Sequence, residues 1–131
     1  MKKVAVVTGG TSGMGEAAVR ELEKRGWQVA AMARSKAEFQ GDVAVDADCR
    51  RVAKAVLDKW GRIDALVNSA GTTKFVAHAD LERRYAERAP LKAAPEAQDV
   101  AEAIAWLVEG ARRVTGEIIY VDGGMHIASP R

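Results

Sequence analysis

The stretch Thr8-Gly9-Gly10-Thr11-Ser12-Gly13-Met14-Gly15 constrains this chain more than any other. It follows four apolar residues, Val4-Ala5-Val6-Val7, and precedes a helical pattern that begins at Glu16. A short, wholly apolar run bounded by a turn reads as a strand buried on both faces. A buried strand, a glycine turn and a helix start, in that order, provide what a nucleotide pyrophosphate requires. Glycines let the backbone bend sharply and approach phosphate oxygens, and the unpaired N–H groups at a helix start attract negative charge. The spacing, through Gly9, Gly13 and Gly15, is Gly-x-x-x-Gly-x-Gly rather than Gly-x-Gly-x-x-Gly. A tight strand-to-helix connection without a ligand is the alternative reading of the same glycines.

The rest of the chain supplies a frame for that turn. A helix is expected over 16–25, with Ala18 and Leu22 on one face and Gly26 as its stop. A second strand over 28–32 ends at Ala33-Arg34-Ser35, and after a polar loop a third is expected over 43–45. Asp48 reads as the N-cap of a helix over 50–60, with Val52, Val56 and Leu57 as its apolar stripe and Gly61 closing it. A fourth strand is expected over 63–67. Strands and helices alternating at this spacing imply a parallel sheet built from right-handed crossovers.

Beyond Gly71 the pattern loosens. A short helix is expected over 80–88, pairing Leu81 with Tyr85, before an alanine-rich connection between Pro90 and Pro95. Pro95 suits the first turn of a helix running through Val108, with Val100, Ile104, Leu107 and Val108 toward the core and Gly110 at its end. A fifth strand is expected over 117–121, followed by a turn at Asp122-Gly123-Gly124.

Composition narrows the function classes. The chain has 131 residues, the size of one domain, with 20 basic and 18 acidic side chains mixed along it. No basic run stands out, so nucleic acid and anionic membrane are poor candidates as partners. The single cysteine, Cys49, cannot form an internal disulfide, which fits a reducing compartment. The basic Met1-Lys2-Lys3 start is followed by too short an apolar run for a secretion signal, and nothing nears the length of a membrane-spanning helix. A cytoplasmic protein is expected. His78 and His126, the only histidines, have no cysteine or carboxylate at metal-ligand spacing, so no metal site is expected.

Four collinear segments resemble one family. Residues 8–15 resemble the cofactor turn of the short-chain dehydrogenase/reductase family. Asp64-Ala65-Leu66-Val67-Asn68-Ser69-Ala70-Gly71 is similar to its fourth-strand motif, with Ser69 where a second asparagine is usual. Asp99-Val100-Ala101-Glu102 is similar to its last long helix, and the segment from Val114 to Gly124 to its final strand. The resemblance runs from residue 1 to about 78 and resumes from about Arg84 to about Ile127.

That resemblance implies a three-layer, doubly wound, Rossmann-type α/β domain, shortened to about five strands in the order 3-2-1-4-5. It also implies a nicotinamide dinucleotide as cofactor, with a small carbonyl or alcohol as substrate. Gly9, Thr11, Ser12, Gly13 and Met14 would wrap the pyrophosphate and adenosine ribose. Asn68, Ala70 and Gly71 would line the middle of the cofactor, although Asn68 suits an internal backbone bond equally well. Asp46 or Asp48 would lie by the adenine, the register between them being open, with N-capping the other role for Asp48.

Cofactor choice is read from the end of the second strand. An acidic residue there would bind a ribose 2′-hydroxyl and repel a 2′-phosphate. This chain has Arg34 and Ser35 instead, so NADP(H) is expected over NAD(H); a solvated arginine at a strand end is the alternative.

The family's catalytic serine and Tyr-x-x-x-Lys have no counterpart here. Tyr85 has Ala89 four residues on, Tyr120 has Gly124, and no serine falls in a strand pattern between Gly71 and Pro95. No catalytic residue is therefore assigned. Thr72 and Lys74 fit either the nicotinamide side or a plain surface loop. Three accounts follow: a dinucleotide-binding domain of impaired catalysis, an active reductase completed by residues outside this sequence, or a self-association module. For the last, Trp106, Leu107 and Tyr120 suit a contact between copies, with core packing the favoured role for Leu107.

Overall fold

A computed structural model describes residues 1–71 and 78–128; Thr72 and Lys74 lie outside the described residues, as does the side chain of His78. The elements in chain order are β1 (Val4–Thr8), α1 (Gly13–Lys24), β2 (Gln28–Ala33), β3 (Phe39–Gln40) and α2 (Asp46–Trp60). There follow β4 (Ala65–Asn68), α3 (His78–Arg88), α4 (Ala97–Glu109) and α5 (Met125–Ala128). The four strands form one parallel sheet in the order β3-β2-β1-β4.

All of β1 is buried, and its side chains alternate between two apolar clusters as the period of a strand requires. Val4 and Val6 meet Ala30, Met32, Phe39, Val52 and Val56 on the face covered by α2. Ala5 and Val7 meet Leu22, Trp27, Val67 and Ala105 on the face covered by α1 and α4. Two helix layers around one parallel sheet make the three-layer α/β architecture. α1 and α4 approach through small residues, Ala17 and Ala18 against Ala101. Glu21 of α1, nearly inaccessible, accepts from Arg25 Nε at 2.7 Å and from Gln98 Nε2 of α4 at 3.0 Å. Glu109 at the far end of α4 accepts from Trp27 Nε1 and Arg25 Nη1.

The sheet departs from expectation at both edges. The third strand is Phe39–Gln40, in register with Met32 and Ala33, and not 43–45. Residues 43–45 turn instead, because the Asp42 carboxylate accepts the Ala44 N–H and its carbonyl the Val45 N–H. Val43 and Val45 are exposed, whereas Phe39 is buried with its ring 5.7 Å from that of Trp60.

The expected fifth strand is not formed. Residues 117–121 pair with no strand among the described residues, and Ile118 and Tyr120 are exposed. The turn just after that segment is tied elsewhere, since Tyr85 Oη donates to the Asp122 carbonyl and Leu91 N–H to the Gly123 carbonyl. The order is therefore 3-2-1-4, with four strands rather than five among the described residues.

Helix ends shift as well. α2 starts at Asp46 with Val45 as its N-cap, and the Asp48 carboxylate reaches back to the Asp42 N–H instead of capping. α4 opens on a capping box between Glu96 and Asp99, so Pro95 falls just outside the helix. Leu107 is exposed, and Ala101 and Ala105 are the buried positions of α4, so the favoured core role for Leu107 does not hold. No helix among the described residues is long and apolar enough to cross a membrane.

Candidate functional site

A cavity of about 370 Å³ opens where the strand order reverses, at the carboxyl ends of β1, β2 and β4. In an open α/β sheet that is where neighbouring connections diverge and leave a crevice. The β1–α1 turn contributes Gly9, Thr11 and Ser12, and the end of β2 contributes Met32, Ala33, Arg34 and Ser35. Gly41, Asp42 and Val43 enter after β3, Ala70 and Gly71 after β4.

The turn has to be glycine. Gly9 has φ +68°, and a Cβ there would lie 2.8 Å from Ala70 Cα and 2.9 Å from the Ser69 carbonyl oxygen. A Cβ on Gly15 would run into the Gly9 carbonyl. Gly13, at the first position of α1, has φ +54° and nothing within 4 Å of where its Cβ would be. Ser12, the N-cap, makes no side-chain capping bond. The helix start thus offers amides with no side-chain cap and open space around Gly13, the arrangement that suits an anion. The buried Thr8 hydroxyl accepts the N–H groups of Ser69 at 3.1 Å and Ala70 at 3.2 Å, fixing the end of β4 against β1.

Seven of the residues singled out from sequence line this cavity: Gly9, Thr11, Ser12, Arg34, Ser35, Ala70 and Gly71. Gly13 and Met14 lie just past it in α1, with Met14 exposed. Asn68, the last residue of β4, sits opposite Thr8 in register and outside the lining. Asp46 is an exposed residue of the first turn of α2, paired with Arg50 at 2.7 Å, and does not line the cavity. Asp42 and Val43 do, and the sequence reading passes over them. The misplaced third strand concealed them: with the strand at 39–40, Gly41-Asp42-Val43 becomes the loop leaving the sheet.

A second depression of about 350 Å³ shares Arg34, Gly41 and Asp42 with the first and adds Gln40, Asp48 and Arg51. Arg34 is exposed and has no ion-pair partner among the described residues. The Asp42 amide, and after it the Arg51 guanidinium, hold the Asp48 carboxyl below its usual range. A third cavity, about 440 Å³, lies between the 91–95 connection and residues 120–126. There the Tyr120 and His126 rings stack at 4.2 Å, and His126 Nδ1 lies 3.0 Å from the Asp122 carboxylate.

The family model for short chain dehydrogenases matches residues 3–90. The chain belongs to the short-chain dehydrogenase family. A further family model, described as Enoyl-(Acyl carrier protein) reductase, matches residues 73–126 of this short-chain dehydrogenase chain. It is 35% identical over 100 residues to the short-chain dehydrogenase/reductase homolog YusS of Bacillus subtilis (strain 168), covering 63% of this chain and 92% of that protein. It is 32% identical over 103 residues to 11-beta-hydroxysteroid dehydrogenase-like 4A of Arabidopsis thaliana, covering 65% of this chain and 33% of that protein. With YusS aside, the chain spans roughly a third of the length of the first such relatives, 33–37%.

Among solved structures, the fold is similar to that of the 3-alpha-hydroxysteroid dehydrogenase from Pseudomonas sp. B-0831 complexed with NADH. The TM-score is 0.75 at 21% identity, covering 94% of this chain and 96% of that chain. This is an oxidoreductase-family domain, and the family uses nicotinamide dinucleotides.

Proposed function

We propose that this chain binds NADP(H) in preference to NAD(H) and transfers hydride to or from a small carbonyl or alcohol poorly on its own. The observation that carries the cofactor choice is Arg34, a guanidinium without a carboxylate partner among the described residues, beside Ser35 at the cavity wall after β2. An acidic side chain in that place would accept from a ribose 2′-hydroxyl; a guanidinium and a hydroxyl donate to a 2′-phosphate. A charge-assisted hydrogen bond is worth about 1.5–3 kcal/mol, or roughly tenfold to a hundredfold in affinity.

The cavity suits the rest of the ligand. The pyrophosphate belongs against Thr11, Ser12 and the open helix start at Gly13, where no Cβ intrudes. The adenine belongs between Asp42-Val43 and the end of β2, in place of the Asp46 or Asp48 expected from sequence. Ala70 and Gly71 border the path toward the nicotinamide. The bound dinucleotide supplies hydride chemistry; the chain's own residues hold its adenosine half.

Titration with 2′,5′-ADP and 5′-ADP tests the proposal. The parent chain is expected to favour 2′,5′-ADP by at least about tenfold, and Arg34→Asp to reverse that order. Equal affinities before and after the substitution would remove it.

A further inference from the structure

We infer that Arg51 is the second anchor of the 2′-phosphate, alongside Arg34. The inference rests on the NADP(H) reading above and extends it to a residue on a different element. The depression of about 350 Å³ that holds Arg51 is walled in part by Arg34, Gly41 and Asp42, which also wall the main cavity, so the two adjoin at the ribose end. Arg51 stands on α2 one residue before Val52, which is buried against the sheet, so the backbone that carries it is fixed.

The hydrogen bonds of Arg51 leave it with capacity to spare. Both bonds it makes to the protein come from one nitrogen, Nη2, at 2.9 Å to the Gln40 carbonyl and 2.6 Å to Asp48 Oδ1. A guanidinium has five N–H donors in a planar fork, so those on Nη1 and Nε remain for an oxyanion. The bonds to Gln40 and Asp48 orient the fork before any ligand arrives, which lowers the entropy lost on binding.

The two carboxylates of the depression are already occupied. Asp42 Oδ1 accepts the Ala44 N–H, and Asp48 Oδ2 accepts the Asp42 N–H. Arg34 and Arg51 balance Asp42 and Asp48 in charge, so an incoming phosphate shares Arg51 with Asp48. Asp48 is thus an internal competitor that moderates the preference for the phosphorylated cofactor. Removing its charge, with an acceptor kept for Asp42, strengthens the grip.

The test is calorimetric titration of the full chain and its Arg51→Gln and Asp48→Asn variants with 2′,5′-ADP and 5′-ADP. Arg51→Gln is expected to weaken 2′,5′-ADP about tenfold or more while 5′-ADP holds its affinity, which also shows that the fold survives. Asp48→Asn is expected to tighten 2′,5′-ADP and leave 5′-ADP unchanged. If both ligands weaken together in Arg51→Gln, the residue only clips the 40–48 loop and the inference falls. A parent preference for 2′,5′-ADP that Arg51→Gln leaves intact also overturns it, with the NADP(H) reading standing. No preference in the parent removes that reading, and the inference with it.

Discussion

At the scale of single residues, Gly9 decides whether the turn can exist. Its positive φ costs a side-chain-bearing residue about 1–2 kcal/mol, and a Cβ there would overlap the backbone of Ser69 and Ala70. Gly61 is the natural comparison, with φ +74° and nothing within 4 Å of its Cβ position. Gly61→Ala should therefore lose only the backbone part, about 1–2 kcal/mol, in urea denaturation. Gly9→Ala should lose clearly more, because the end of β4 must also shift. If the two substitutions cost the same, the close approach between the turn and β4 is not what makes Gly9 necessary. The demand for glycine here was readable in advance, since a buried strand followed at once by a glycine cluster leaves few other geometries. Asp42 was not readable in the same way, because nothing about its composition separates it from Asp46 and Asp48. Only the register of Met32 on Phe39 puts Asp42 at the cavity.

At the scale of elements, α1 and α4 are joined by alanine contacts and by the carboxylate of Glu21. Arg25 first, then Gln98, hold that carboxyl below its ordinary range. A depressed folded value means that its stabilisation is complete above the unfolded carboxyl value, about 4.3, and is lost as pH falls through the folded value. Glu21→Gln should accordingly melt below the parent at pH 6, and the gap should close as pH approaches 3. Scanning calorimetry across that range checks it, and a gap independent of pH would show that the Glu21 charge is not what joins the helices. The short α5 was not expected, whereas the helices α1 to α4 were legible to within about four residues, chiefly from their apolar spacing. Their ends were less so, because Val45 and Glu96, the actual N-caps, are not strong capping types on sequence grounds. The two strand misplacements share one cause. Apolar, β-branched residues marked 43–45 and 117–121, the latter also through its likeness to the family's final strand, whereas turn bonds from Asp42 bend 43–45 and bonds from Tyr85 and Leu91 tie down the residues just after 121.

At the scale of the molecule, the cofactor half of a family architecture is present in order, and neither tyrosine of the chain stands at the cavity. Tyr85 donates to the Asp122 carbonyl, and burial, then the Asp122 charge, raise its pKa, the wrong direction for a general acid at neutral pH. Tyr120 is exposed and stacked on His126. Neither lines the cavity at the strand ends. A positioned general acid contributes about 10²–10⁴ in rate. NADPH oxidation by the chain against a panel of ketones should therefore run close to the background without protein. Brisk turnover that survives confirmation of the intact mass would overturn the account of impaired catalysis.

The wholly buried β1 contributes alternate side chains to both apolar clusters. A rod clamped from two sides is not released by loosening one of them. The glycine turn begins at its end, where the Gly9 N–H donates to the Met32 carbonyl at 2.8 Å, so the start of the turn moves only if the sheet moves.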